Sequence, residues 1–150
     1  MPTFTTNSLR WQIFDSVATA LEAAPELQSV RVRRNPRQSV KVGKNDFLIV
    51  IRWEPDTLIQ AKGHKEDRKF RLLVGSIANT DQADSDADAM QLVVGGVVRK
   101  QWVSLSVFAN KVKPREIEVV PDVENMLIEG SLVASAWDID YELVHSATGA

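Results

Sequence analysis

The clearest periodic pattern in the chain is the segment Ser131 to Val144, with the sequence SLVASAWDIDYELV. From position 133 onward, large apolar residues occupy most odd-numbered positions, and alanines and acids occupy the even-numbered ones. Successive side chains of a strand point to opposite faces, so the pattern predicts a strand with one buried and one solvated face. We expect Val133, Trp137, Ile139, Tyr141 and Leu143 on the buried face, and Ala134, Ala136, Asp138, Asp140 and Glu142 on the solvated face. The end of the chain is therefore predicted to belong to a sheet rather than to carry a reactive motif.

Length and composition limit the class of protein. The chain has 150 residues, of which 44% are hydrophobic and 25% charged, so we expect one globular domain over residues 1–150. A net charge of −2 argues against a general polyanion-binding protein, because such domains are usually strongly basic. The absence of cysteine excludes disulfides and thiolate ligands, and a reducing cytoplasm is the simplest setting. We expect no secretory signal and no membrane association, since neither a signal pattern nor a long apolar run is present.

Two segments have the spacing of amphipathic helices. The first is expected to begin after the polar residues 5–8, which can cap it, and to end before Pro25. The second is expected to begin near Asp81, where acids suit the positive end of the helix dipole. Glycines at 95 and 96 allow a break or a close contact in it. Residues 102–109 fit both a helical spacing and the alternation of a strand, and we favour a continuation of the helix.

Short runs of apolar and β-branched residues predict the remaining strands. These are residues 30–34, 39–42, 47–54, 69–77 and 115–120, with turns over residues 63–68 and 121–129. The order predicts an α+β fold, in which a mainly antiparallel, mixed sheet packs with an N-terminal helix and a central helix. We expect one hydrophobic cluster to contain Ile13, Val17, Leu21, Ile49, Ile51, Leu72, Val74, Met90, Val94, Ile139 and Tyr141.

A basic segment lies between the first helix and the first long strand. Six cations occur within fourteen residues, with no acid among them: Arg31, Arg33, Arg34, Arg37, Lys41 and Lys44. We interpret residues 31–44 as a hairpin that faces an acidic protein or, less readily, DNA. The alternative is a solvated edge hairpin whose charges discourage pairing with other strands. No aromatic residues are interleaved for base stacking, which argues against specific nucleic-acid recognition.

An acidic segment at the start of the second helix contains Asp81, Asp84, Asp86 and Asp88. A calcium loop beginning at Asp84 would need glycine where Ala89 stands and a carboxylate where Gly95 stands, so a capped helix start explains the run better. The two histidines have no metal-ligand spacing, and no serine lies in a nucleophile motif. The sequence therefore predicts no catalytic, cofactor or metal site, and we expect the protein not to be an enzyme.

The order of these segments carries a resemblance to a known family. A helix with the sequence LRWQIFDSVATALEAAPEL precedes a short basic strand, the strands FLIVIRWEP and RKFRLLVGSIA, and the acidic-start helix DADAMQLVVGGVV. The chain ends with a strand pair that contains AWDIDYEL. The strand-to-helix junction SIANTDQADSDADAM and the final strand are the most suggestive parts. In this order the chain resembles the tail-terminator, or minor tail protein U-like, proteins of long-tailed bacteriophages.

The resemblance implies a structural protein of the virion, located at the head-proximal end of the tail and assembled in the host cytoplasm. Such proteins cap the finished tail tube as a ring, usually a hexamer, and present a surface to the head. The implied partners are other copies of the chain, the tail tube protein and head–tail connector proteins, with a passing contact to DNA. A head–tail joining or neck component is the neighbouring alternative, and a small nucleic-acid- or ligand-binding module that uses residues 31–44 is another. For a ring, we expect the basic segment of one copy to contact the acidic segment of the next.

Overall fold

Two helices and six strands form the part of the chain that the computed structural model describes, which comprises residues 8–36, 41–105, 111–117 and 130–145. The helices are α1 (Leu9–Ala23) and α2 (Ala83–Leu105), and a short 3-10 turn, Pro25–Leu27, follows α1. The strands are β1 (Arg31–Arg34), β2 (Asp46–Trp53), β3 (Thr57–Lys62), β4 (Lys65–Asn79), β5 (Lys113–Ile117) and β6 (Ser131–Val144).

All six strands belong to one mixed sheet with the order β1-β2-β4-β6-β5, and β3 pairs with β4 beyond the end of β2. Only β1 and β2 are parallel, and the other pairs are antiparallel. The longest pairing joins β4 to β6, from Lys65 opposite Val144 to Ala78 opposite Ser131. The predicted α+β fold with a mainly antiparallel sheet and two helices is confirmed.

The boundaries of α1 follow from its flanking residues. The Ser8 hydroxyl accepts a hydrogen bond from the Trp11 amide at 3.1 Å, which satisfies one of the free N–H groups at the helix start. Ala24 is extended, as the residue before Pro25 must be, and the helix ends there. Both ends of the helix lie where the capping residues and the proline predict.

Both helices cover the same face of the sheet and enclose the main core between them. All eleven residues that we expected in one cluster are found in it, together with Phe14, Phe70 and Trp137. We call the opposite side, which neither of the described helices covers, the helix-free face. It carries a smaller apolar cluster of Leu48, Val50 and Ile77, against which Val42 packs.

Helix α2 is continuous through its glycines and is joined to the sheet by buried polar groups. The Gln91 side chain accepts a hydrogen bond from the Ser76 hydroxyl at 2.6 Å and donates to the Ser135 hydroxyl at 3.0 Å. It also donates to the Val74 carbonyl at 3.2 Å. Because an unpaired amide is costly in a core, these bonds fix the position of α2 over β4 and β6. The helix ends at Leu105, so residues 102–105 are helical as expected, and residues 106–109 lie outside the described part of the chain.

Three sequence interpretations are corrected by the strands. Residues 57–62 form the strand β3, which the sequence did not predict, because all six of its residues are exposed and give no buried face. The predicted turn over residues 63–68 contains only Gly63 and His64, and β4 begins at Lys65. In the basic segment, β1 pairs in parallel with β2, and the described residues 41–44 belong to no strand and so do not form the predicted hairpin with β1.

Other interpretations fall partly or wholly on residues that are not described. Strand β5 covers the first half of the predicted strand 115–120 and begins two residues earlier, while residues 118–120 are outside the described ranges. The turn predicted over residues 121–129 is also outside them. The extended piece predicted over residues 39–42 is described only at residues 41 and 42, which belong to no strand.

Replacing Ile139 with alanine tests the core assignment. Ile139 is fully buried in β6, so Ile139→Ala should lower the free energy of unfolding by about 2–5 kcal/mol, because it leaves a cavity. Ile59 provides the matched control, since it is an isoleucine in a strand but is 55% exposed. Urea denaturation of both variants measures the difference, and equal losses would contradict the placement of the core.

Candidate interaction surface

The two outward arginines of β1 lie on the helix-free face. In the parallel pairing with β2, Arg31 lies opposite Leu48 and Arg33 lies opposite Val50. Both Leu48 and Val50 belong to the smaller apolar cluster on the helix-free face. Both arginines are exposed, and Arg31 has only a weak ion pair with Asp46 at 3.9 Å. Arg31 and Arg33 therefore share one face of β1.

Arg34 points to the other side of the sheet and is engaged within the molecule. Its guanidinium lies 2.5 Å from an Asp15 carboxylate oxygen, and it also forms an ion pair with Glu22, both on α1. Burial alone would lower the pKa of Arg34, but its hydrogen bonds to Glu22 and Asp15 outweigh burial and raise that pKa above the ordinary value. Arg34 therefore holds β1 against α1, and its role in an interface stays a prediction.

The rest of the basic segment has less defined surroundings. Lys41 and Lys44 are exposed, and the turn at Asn45 leads directly into β2. Arg37 lies outside the described residues. Of the six predicted cations, Arg31 and Arg33 are therefore placed together on one surface, and Arg34 is removed from it.

The four predicted aspartates surround the start of α2. Asp84 accepts a hydrogen bond from the Ser131 hydroxyl, and Asp86 accepts one from the Thr80 hydroxyl at 2.5 Å. Both belong to the first turn, where acids stabilise the helix dipole, as the sequence suggested. Asp81 and Asp88 are exposed, and neither has a partner within the described ranges.

The basic and acidic groups lie on opposite sides of the sheet. Helix α2 packs on the helix-bearing face, whereas Arg31 and Arg33 project from the helix-free face. Within one molecule these charges cannot meet across the sheet. Asp84 and Asp86 are engaged by hydroxyl groups, so the members of the two groups that are most accessible to another molecule are the exposed Asp81 and Asp88 and the exposed arginines of β1.

The structure adds cations to the helix-free face that are far from the basic segment in sequence. The register places Arg52 of β2, Arg71 of β4 and Arg115 of β5 on this face. Lys69 and Lys113 lie there too, on either side of Asp140 in the strand order. Sequence reasoning missed this grouping, because only the strand register reveals it.

A buried acid organises two of these arginines. Asp138 lies on the even-numbered face of β6 that we expected to be solvated, yet the residue is only 6% exposed. Its carboxylate accepts a hydrogen bond from Arg71 Nε at 3.1 Å and lies 3.8 Å from Arg115 Nη2. A buried carboxylate needs such partners, so the expected solvated position is corrected to a buried, paired one.

A groove of about 450 Å³ opens beside this cluster, toward the end of the sheet that carries β3. Lys69, Lys113 and Arg115 line it together with Asp140, and Ile59 of β3 contributes an apolar wall. The groove is therefore rich in charge, with cations supplied by the two strands that flank β6.

A chain of polar groups joins the β3–β4 hairpin to β6 on the helix-bearing face. The Tyr141 hydroxyl donates to Asp56, and Arg68 Nε lies 3.3 Å from the other Asp56 oxygen. Arg68 also donates to Glu66 at 3.2 Å, and His145 Nε2 lies 3.0 Å from Glu66. Burial, followed by the Asp56 hydrogen bond, raises the pKa of Tyr141. The His145 hydrogen bond lowers the pKa of Glu66.

Comparison with known proteins assigns no family to the chain, since no family model and no curated sequence matches it. Within the described residues, no group of three or more histidine and carboxylate side chains could hold a metal ion. Neither of the described helices combines the length and apolar character that a membrane span requires.

Substitution of Arg34 and of its neighbour distinguishes the structural from the free arginine. Arg34→Gln should lower the free energy of unfolding by about 1 kcal/mol, because it leaves Asp15 and Glu22 side by side without their cation. Arg33→Gln, one residue away on the helix-free face, should leave the free energy of unfolding unchanged. Thermal and urea denaturation measure both, and an equal effect of the two variants would refute the assignment.

Alkaline titration of Tyr141 tests the hydrogen-bonded group of Tyr141 and Asp56. Tyr141 is the only tyrosine, so its phenolate absorbance can be measured directly. Its raised pKa means that the fold favours the neutral phenol. In the folded protein, phenolate absorbance should therefore appear at a pH above about 10, the usual pKa of tyrosine, whereas in denaturant it should appear at a pH of about 10. The corresponding stability is complete below pH about 10 and is lost as the pH rises further. Asp56→Asn should bring the folded-state titration closer to that of the denatured chain, and an unchanged titration curve would contradict the contact.

Proposed function

We propose that this protein is a non-enzymatic structural component of a long-tailed phage, which caps the tail tube as a ring of copies and presents a surface to the head. The observation that supports the proposal best is the separation of charge across the sheet, with Arg31 and Arg33 on one side and the acidic start of α2 on the other. The order of helices and strands, through which the sequence resembles tail terminators, supports the same function.

Ring assembly requires two different surfaces on each copy, because every subunit contacts one neighbour on each side. The exposed arginines of β1 and the exposed Asp81 and Asp88 supply two such surfaces of opposite charge. Opposite charges guide docking and fix orientation more than they add affinity. The chain can therefore remain largely monomeric at low concentration and assemble on the finished tube, with six copies by family resemblance.

A head–tail joining component is the neighbouring possibility, because it would use the same kind of ring contact. The two functions differ in the partner that templates the ring, the tail tube in one case and the connector in the other. Light scattering with purified tubes and purified connectors, each over a concentration series, separates them.

Charge reversal at the two surfaces tests the ring contact. Arg31→Glu with Arg33→Glu makes both surfaces acidic, and Asp81→Arg with Asp88→Arg makes both basic. Each double variant alone should show at least about tenfold weaker association on tail tubes, measured by light scattering. An equal mixture of the two should recover assembly, because alternating copies restore opposite charges at every contact of an even-numbered ring.

The control is the reversal of Arg99 and Lys100, which are exposed on α2 beyond its acidic start. This variant should assemble normally. Recovery would be absent if the two surfaces did not touch each other. A concentration-independent two-fold dimer that ignores tubes would contradict the terminator function itself.

A further inference from the structure

The helix-free face carries a regular array of cations at its centre. Arg71 and Lys69 are two positions apart on β4, and Arg115 and Lys113 are two positions apart on β5, with β6 between the two strands. Neighbouring strands are about 4.8 Å apart and a two-residue step is about 6.7 Å, so the four cations form a grid of about 10 by 7 Å. Arg52 of β2 extends the array on the other side of β4.

Asp138 holds part of this array in place without neutralising its outer surface. The carboxylate is buried under the arginines, with a side chain only 9% exposed, whereas the Arg71 and Arg115 side chains are 41% and 69% exposed. Arg71 uses Nε for this contact, and its two terminal nitrogens have no partner among the described residues. Because the Arg71 side chain is 41% exposed, these nitrogens can donate to a phosphate or carboxylate, which a guanidinium binds through two hydrogen bonds.

The charge of this surface differs from that of the chain. By the register of the described strands, the helix-free face carries nine cations, which are the five of the array together with Arg31, Arg33, Lys62 and Lys65. It also carries five carboxylates, those of Asp46, Asp67, Asp138, Asp140 and Glu142, whereas the whole chain has a net charge of −2. The acids that reverse the total charge include the start of α2 on the other side of the sheet. The helix-free face is therefore positively charged, although the chain as a whole has a negative net charge.

We propose that the helix-free face binds the phosphate backbone of double-stranded DNA, without recognition of base sequence. A regular grid of cations fits a polymer whose charges recur regularly, about one per 1.7 Å of duplex axis. Folded acidic proteins present carboxylates at irregular spacing and would gain less from this regularity. The proposal is independent of the ring contact, because it uses β2, β4 and β5 rather than the arginines of β1.

The salt dependence of DNA binding tests the proposal. The probe is a fluorescein-labelled duplex of mixed sequence, about two helical turns long, and fluorescence anisotropy measures its affinity for the full chain between 50 and 200 mM NaCl. About four neutralised phosphates should give a logarithmic slope of about −3.6, equivalent to an affinity loss of about a hundredfold over this range.

The informative variant is Arg52→Gln with Lys113→Gln, because it removes two cations and leaves the contacts of Asp138 intact. Its slope should decrease in magnitude by about 1.8, since each lost phosphate contact contributes about 0.9. The matched control is Arg99→Gln with Lys100→Gln on α2, which removes the same charge from the helix-bearing side and should retain the original slope.

Three outcomes would overturn the proposal. The first is no change in anisotropy at 50 mM NaCl. The second is an equal change in slope for the control, which would indicate a general charge effect. The third is displacement of the duplex by polyglutamate as efficiently as by unlabelled DNA at equal charge concentration, which would identify the face as a surface for acidic polypeptides.

Discussion

The pairing of β4 with β6 is the interaction on which the rest of the structure depends. It extends over the full length of β6. The two strands are central in the sheet, because β4 also pairs with β2 and β3, and β6 also pairs with β5. The register of this one pairing decides which side chains face the helices. A shift by one residue would move Trp137 and Ile139 out of the core and bring Asp138 into it.

Buried polar groups make that register specific. On the helix-bearing face, Gln91 bridges Ser76 and Ser135, which belong to the two central strands. On the other face, Asp138 is paired with Arg71 across the same strands. Both contacts would be lost after a one-residue shift and would leave unpaired polar groups in the interior, which costs far more than an equivalent loss at the surface.

Every residue that periodicity placed in the core lies there, but the core also contains residues outside the periodic segments, such as Leu27 and Val112, and the surfaces were predicted only in part. Helical and strand spacing report burial on one face, and this signal was strong for both helices and for β6. Strand β3 gave no such signal, because it is exposed on every side. The different roles of Arg33 and Arg34 were also hidden, because only the position of α1 shows which arginine meets Asp15 and Glu22.

The edge strands of the described sheet affect how the protein behaves at high concentration, because exposed edges can pair with strands of other copies. Strand β1 is short and carries three arginines, β3 has an irregular register between Leu58 and Gln60, and β5 contains Pro114. Each device hinders the addition of a foreign strand through backbone hydrogen bonds. These features therefore disfavour the growth of a sheet from one copy to the next, which is the step that builds fibrous aggregates.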